Sequence, residues 1–290
     1  MKKRKLIIYI LISIFFIITY SISYKITINK LPNKILYYLS YKYQNNKKIN
    51  NIDMVSLVLK EVKFNKAFKE NKKEIKKEIV FHDNNPIVYI YNTHSEEEYS
   101  YEKNNSYNII PTVKEANYIL ESELKKLGIN SIIEEKSTTK IVNERNLPYS
   151  SSYKVSRELL ETKKVEYSTL EYFIDLHRDS VERNITTVEI NGKKYARTMF
   201  LLGLENPNHE ENKKVMETLN NYLDNNYKGL SRGIYEKSGK GVNGVYNQDF
   251  NKNVMLIEVG GVDNTIDEVN NSLKIIAECL YNYINSTKSE

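Results

Sequence analysis

Three segments place residues capable of chemistry at or just beyond runs that read as buried strands. Ile87–Tyr91 leads into Asn92, Thr93, His94, Ser95, Glu96, Glu97 and Glu98. Glu171–Leu176 leads into His177, Arg178 and Asp179, and Val254–Val259 carries Glu258 just before Gly260 and Gly261. His94 and Glu97 stand three apart. If the chain turns after the strand, that spacing sets an imidazole and a carboxylate on one side of the turn. His177, from a neighbouring strand, completes a set of two His and one Glu, which suits Zn2+ and leaves a fourth position open for water. Zinc lowers the pKa of such a water to about 7 and polarises a carbonyl. A hydrolase then needs a further carboxylate to take the water's proton and pass it to the leaving amine, and Glu258 at the end of a third strand is placed for that. Asp175, two residues before His177, is placed to orient its ring as an acceptor. On spacing alone Glu96 and Glu98 compete with Glu97 as the ligand. A turn role for His94 and an ion pair of His177 with Asp175 or Asp179 are the plain structural alternatives.

Strand ends collect ligands only if the strands lie side by side in an open α/β sheet. The patterning supports that. Val113–Leu127 and Tyr153–Val165 have apolar residues at helical spacing, and Gly128 stops the first. Asn130–Glu134 and Phe200–Leu204 read as further strands. Val188–Met199 reads as a hairpin turning at Asn191-Gly192. Glu210–Tyr227 and Ile266–Ile284 are long helical patterns. Strand and helix alternate over about 200 residues, which predicts an α/β fold with a mostly parallel sheet flanked by helices on both faces.

Other chemistries are excluded. Gly239, Gly241 and Gly244 match G-x-G-x-x-G, but Val245–Asp249 is not a helical pattern, so this is a glycine loop and not a dinucleotide fingerprint. No G-x-S-x-G exists, so Ser180 is not a nucleophile elbow. The single cysteine, Cys279, lies in a helical pattern far from any His and rules out an internal disulfide framework. His82 and His209 read as linker and surface residues.

The chain has 290 residues and a net charge of +6. Residues 1–80 hold 18 Lys/Arg against 5 Asp/Glu, leaving 25 against 32 in the remainder. The main body is therefore acidic, which argues against nucleic-acid binding. Lys2, Lys3, Arg4 and Lys5 precede 19 uncharged residues, Leu6–Tyr24. As a helix these span about 28 Å, close to the hydrocarbon thickness of a bilayer. The basic flank predicts a cytoplasmic N-terminus and an exported body. Ser21 and Ser23 leave a cleaved signal peptide as the competing reading. The predicted organisation is a cytoplasmic tip and membrane anchor over 1–24, a Lys/Asn-rich stalk over 25–85, and a catalytic domain over 86–290.

Several motifs follow one another in order: Tyr91 to Tyr99, Asp175 to Asp179, Gly203 to Asn208, Gly229 to Gly233, Tyr246 to Asp249, and Leu256 to Thr265. Together they resemble the stage II sporulation protein P family of membrane-anchored cell-wall hydrolases from endospore formers, over about residues 86–285. The resemblance implies a zinc amidase-like fold and a zinc-dependent N-acetylmuramoyl-L-alanine amidase. It would cleave the amide between the muramic acid lactyl group and the stem peptide of peptidoglycan, with possible endopeptidase action on cross-links. It would act in engulfment, between the mother-cell and forespore membranes, with stage II sporulation proteins D and M. By motif position it implies His94, Glu97 and His177 as zinc ligands and Glu258 as the catalytic carboxylate. A small residue is usual after the ligand Glu, and Glu98 stands there instead. Arg178, Arg232 and Asn247 fall in shared motifs and are candidates for holding substrate; a guanidinium pairs well with a stem-peptide carboxylate. A zinc carboxypeptidase and a catalytically inactive wall-binding scaffold are the rival functions.

Overall fold

A computed structural model describes residues 85–100 and 110–287. The expected anchor, and all of the expected stalk except Asn85, lie outside the described residues. Among the described residues no helix is long and apolar enough to cross a membrane.

The sheet has six strands: β1 (Val88–Tyr91), β2 (Ser131–Ile133), β3 (Tyr172–Asp179), β6 (Thr198–Gly203), β7 (Ser231–Lys237) and β8 (Val254–Gly261). Their spatial order is β2-β1-β3-β8-β6-β7. Strands β2, β1, β3 and β8 are mutually parallel, as the strand–helix alternation predicts. Strand β6 runs antiparallel to β8, and β7 runs parallel to β6. The sheet is therefore mixed, and the last two strands start at the edge where the first four end. The predicted hairpin forms as β4 (Thr187–Ile190) and β5 (Lys193–Ala196), a separate two-stranded sheet. It turns through Asn191 and Gly192 at φ 52° and 75°, the left-handed pair that a type I′ turn requires.

Helix α1 (Val113–Lys126) ends where Gly128 adopts φ 81°. The amide of Ile129 donates to Leu124 O and that of Gly128 to Lys125 O. These are the paired closing bonds of a Schellman end, which favours glycine at this position. Helices α2 (Thr138–Glu144), α3 (Ser152–Glu166), α4 (Arg183–Thr186), α5 (His209–Asn226) and α6 (Ile266–Thr287) complete the α/β frame.

The period-2 alternation of the strands sorts their side chains onto two faces. Val88, Ile90, Ile174, Leu176, Met255, Ile257 and Val259 pack with the buried faces of α1, α5 and α6. Tyr89, Tyr91, Phe173 and Val254 pack with Leu160 of α3 on the other face. Burying each large apolar side chain stabilises the fold by about 1.5–3 kcal/mol. On the α3 face the same alternation continues from Phe173 to Asp175 and His177, and from Val254 through Leu256 to Glu258. Three polar or ionisable groups thus interrupt an otherwise apolar surface. Burying such groups is unfavourable unless partners satisfy them.

Candidate active site

His177 and Glu258 are direct neighbours across the sheet, since β3 and β8 pair with His177 opposite Glu258. Strand β1 stops at Tyr91, opposite Asp175, and the chain beyond it turns over the strand ends. Asp175 fastens that turn. Its side chain is fully buried and accepts from the Thr93 amide at 2.8 Å and the Thr93 hydroxyl at 2.6 Å. The side-chain amide of Asn92 donates to Leu176 O at 2.6 Å and exchanges hydrogen bonds with the side chain of Asn117 of α1. Pinned this way, the turn brings His94 and Glu97 back over β3.

Glu97 Oε2 lies 3.3 Å from His177 Nδ1 and accepts from the backbone amide of Arg178 at 3.0 Å. The His94 and His177 rings meet edge-on with centroids 5.4 Å apart. His177 Nε2 lies 2.9 Å from Asp175 Oδ1, a close charge contact whose alignment falls short of a hydrogen bond. The other groups divide as follows. Glu96 and Glu98 are exposed, whereas Glu97 is half-buried. The side chain of Glu97 thus turns toward His177, while Glu96 meets the Ser137 hydroxyl at 3.4 Å.

The electrostatics follow from burial and from this crowding. Burial pulls the His177 imidazole down, but the carboxylates of Asp175 and Glu97 outweigh it and hold the ring well above its ordinary value. His94 is held low, first by burial and then by the nearby His177. Burial works to raise Glu97, but His177 and the Arg178 amide overcome it and hold the carboxyl below its usual range. Burial pushes Glu258 up to about 7, with Glu97 and Asp179 adding to the rise and His177 opposing it. A carboxyl near neutrality is suited to both accepting and returning a proton at working pH.

Among the described residues no group of three or more His, Cys, Asp or Glu side chains is placed so that it could hold a metal ion. The donor chemistry nevertheless fits a divalent cation. Glu97 and Asp175 lie 3.3 Å and 2.9 Å from the two His177 ring nitrogens, and Glu258 is the cross-strand neighbour of His177. Ligand atoms about 2.0–2.1 Å from a tetrahedral zinc stand about 3.3 Å apart, and His177 Nδ1 and Glu97 Oε2 have that separation. His94 Nδ1 and Glu258 Oε2 are buried with no hydrogen-bond partner, and buried polar atoms in folded proteins seldom lack one.

The three residues considered for substrate are each engaged within the fold. Arg178 Nε donates to Glu98 O at 2.8 Å and so ties the Glu97 turn to β3. Arg232 pairs with Asp179 at 2.7 Å. That contact depends on the reversal of β7, which brings the start of that strand to the end of β3. Asn247 sits at φ 57° and donates through its amide nitrogen to Tyr153 O at 3.1 Å and to Ser156 Oγ at 2.9 Å.

Sequence reasoning missed the aromatic enclosure of His94. Tyr149 stacks on its ring with centroids 4.7 Å apart and planes 9° apart. Tyr153 meets the same ring edge-on at 5.7 Å, and Tyr246 meets Tyr153 edge-on at 5.3 Å. The only signal was the spacing of Tyr149, Tyr153 and Ser156, which puts all three on one side of the α3 entry.

The family model described as stage II sporulation protein P matches residues 14–281. Stage II sporulation protein P of Bacillus subtilis (strain 168) is 33% identical over 208 residues, which is 66% of this chain and 49% of that protein. The chain therefore spans about half the length of that curated relative. Among solved structures, the CwlD amidase from Clostridioides difficile, in complex with the GerS lipoprotein, superposes with a TM-score of 0.46 at 14% identity. That match covers 70% of this chain and 98% of the amidase. The N-acetylmuramoyl-L-alanine amidase from Clostridium difficile 630 gives 0.41 at 17% identity, over 70% and 99%.

Proposed function

Since the chain belongs to the stage II sporulation protein P family, we propose that it is a peptidoglycan hydrolase of sporulation, a zinc-dependent N-acetylmuramoyl-L-alanine amidase. The observation that carries this reading is the convergence of His177, Glu97 and Glu258 at one end of β3 and β8. His94, Glu97 and His177 would hold the zinc, which when bound supplies Lewis-acid chemistry, polarising the scissile carbonyl and making water acidic.

The chain's own residues do the rest. Glu258 takes the proton of the attacking water and returns it to the amine as the carbon–nitrogen bond breaks. One carboxyl can do both, because the proton it gains as a base in the first step is the one it gives up as an acid in the second. Asp175, fixed by Thr93, holds the His177 ring so that Nδ1 faces Glu97. Arg178 holds the Glu97 turn through its backbone amide and guanidinium. In this reading Arg178, Arg232 and Asn247 contact the substrate where their present partners leave a donor or acceptor free. The same reading includes the N-terminal membrane anchor, an extracytoplasmic body, and stage II sporulation proteins D and M as partners.

The test is digestion of purified peptidoglycan followed by analysis of the products, with and without chelator. Chelator-sensitive release of intact stem peptides is expected. Release of terminal amino acids alone would make the chain a carboxypeptidase. Wall binding with no products would make it a scaffold.

A further inference from the structure

Tyr149 is 67% exposed, the second-largest exposure among the large hydrophobic side chains of the described residues, yet one face of its ring lies flat against His94. Its hydroxyl makes no hydrogen bond among the described residues. The backbone beneath it is fixed: Pro148 has φ −66°, the Ser151 amide donates to Pro148 O at 2.8 Å, and the Ser152 hydroxyl donates to Tyr149 O at 2.7 Å. Tyr149 is thus a flat aromatic surface held rigidly beside a proposed zinc ligand, with its second face open to solvent. A ring presented this way offers a large contact area at little cost in conformational entropy.

We infer that the open face of Tyr149 is a sugar-binding shelf that seats the muramic acid ring of the substrate next to the scissile amide. The identity of the sugar rests on the amidase reading above; the shelf rests on the geometry of Tyr149 and His94. The choice of sugar over peptide follows from the chemistry on each side of that amide. A pyranose ring presents a broad face of C–H groups that matches an aromatic plane. The alanine side presents a single methyl group, and the peptide carboxylates beyond it match the guanidinium groups of Arg178 and Arg232. Tyr153, edge-on to His94, keeps the imidazole parallel to the shelf.

The test measures equilibrium binding of a peptide-free tetrasaccharide of alternating N-acetylglucosamine and N-acetylmuramic acid to the full-length chain. Tyr149→Phe should bind as the wild type does. Tyr149→Ala and Tyr149→Leu should weaken binding about five- to ten-fold, the size expected for losing one aromatic stack. Leucine keeps apolar cover over His94, so it decides the matter if the alanine variant folds poorly. Unchanged affinity in the leucine variant overturns the inference. So does an equal loss in the phenylalanine variant, which would make the hydroxyl the functional group, or a wild type that does not bind the sugar. A wild type that binds the sugar through Tyr149 but releases no stem peptide would instead sink the amidase reading and leave the shelf standing.

Discussion

His177 and Glu258, 81 residues apart in sequence, pair directly across the β3–β8 ladder. Parallel pairing aligns their side chains on one face, so each lies in the other's electrostatic field. The buried acid is raised by desolvation and partly relieved by the imidazole. The imidazole is lowered by burial and raised by the acids.

Glu258→Gln keeps the shape of the side chain and removes its basicity. It should lower turnover on muropeptides by about 100-fold or more, the scale of a lost general base, while zinc content stays at the wild-type level. Metal analysis beside a zymogram checks both halves. Normal wall hydrolysis by this variant would remove Glu258 from the proposed chemistry.

His177→Ala removes a proposed ligand and should lose zinc and activity together. Asp175→Asn removes the charge that faces the ring and weakens the acceptor that holds Thr93, and should lower zinc affinity by about 10- to 100-fold. Competition with a chromogenic chelator measures both. Equal affinity in the asparagine variant and the wild type would leave Asp175 with a purely structural role.

The metal-free protein should show a pH-dependent stability of which Glu258→Gln removes the Glu258 part. The folded pKa of Glu258, about 7, lies above that of the unfolded carboxyl, so the native state binds the proton more tightly. The stability this contributes is complete below the unfolded pKa and disappears as pH rises toward 7, a difference of up to about 3 kcal/mol. Thermal melts in chelator at a series of pH values should show the glutamine variant gaining on the wild type between about pH 4.5 and 7. The His177 contribution is present in both proteins, so it largely cancels in the difference.

Gly260 follows Glu258 by two residues and adopts φ 70°. A Cβ there would stand 2.6 Å from Asn264 Oδ1 and 2.8 Å from Ala196 Cβ. Gly260→Ala should therefore destabilise the fold by about 2 kcal/mol or more, combining left-handed strain with a clash. Denaturant unfolding measures it. Alanine at Gly192, with nothing within 4 Å of its Cβ, meets only the strain and should cost less.

Much of this site was legible because strands alternate with period 2. Asp175 and His177 had to share a face, and Ile87–Tyr91, Glu171–Leu176 and Val254–Val259 read as strands from their apolar residues alone. What spacing could not decide was which of Glu96, Glu97 and Glu98 turns inward, because that depends on the turn that Thr93 and Asn92 fasten to β3. The reversal of β6 and β7 was also hidden. Strand β7 carries charged residues and Gly233 at φ 87°, so its pattern is broken. With its direction unknown, nothing tied Arg232 to Asp179. Helix α2 and the turn bearing Tyr149 are short and polar, and the stack on His94 exists only after folding. The anchor, and all of the stalk except Asn85, lie outside the described residues and stand as sequence expectations.

The most direct measurement is anomalous X-ray scattering at the zinc edge from crystals grown with zinc. The account predicts one peak within about 2.0–2.3 Å of a nitrogen of His94, a nitrogen of His177 and an oxygen of Glu97, with Glu258 beside it and not bonded to it. No peak there, or a peak bound by a different set of side chains, would contradict it.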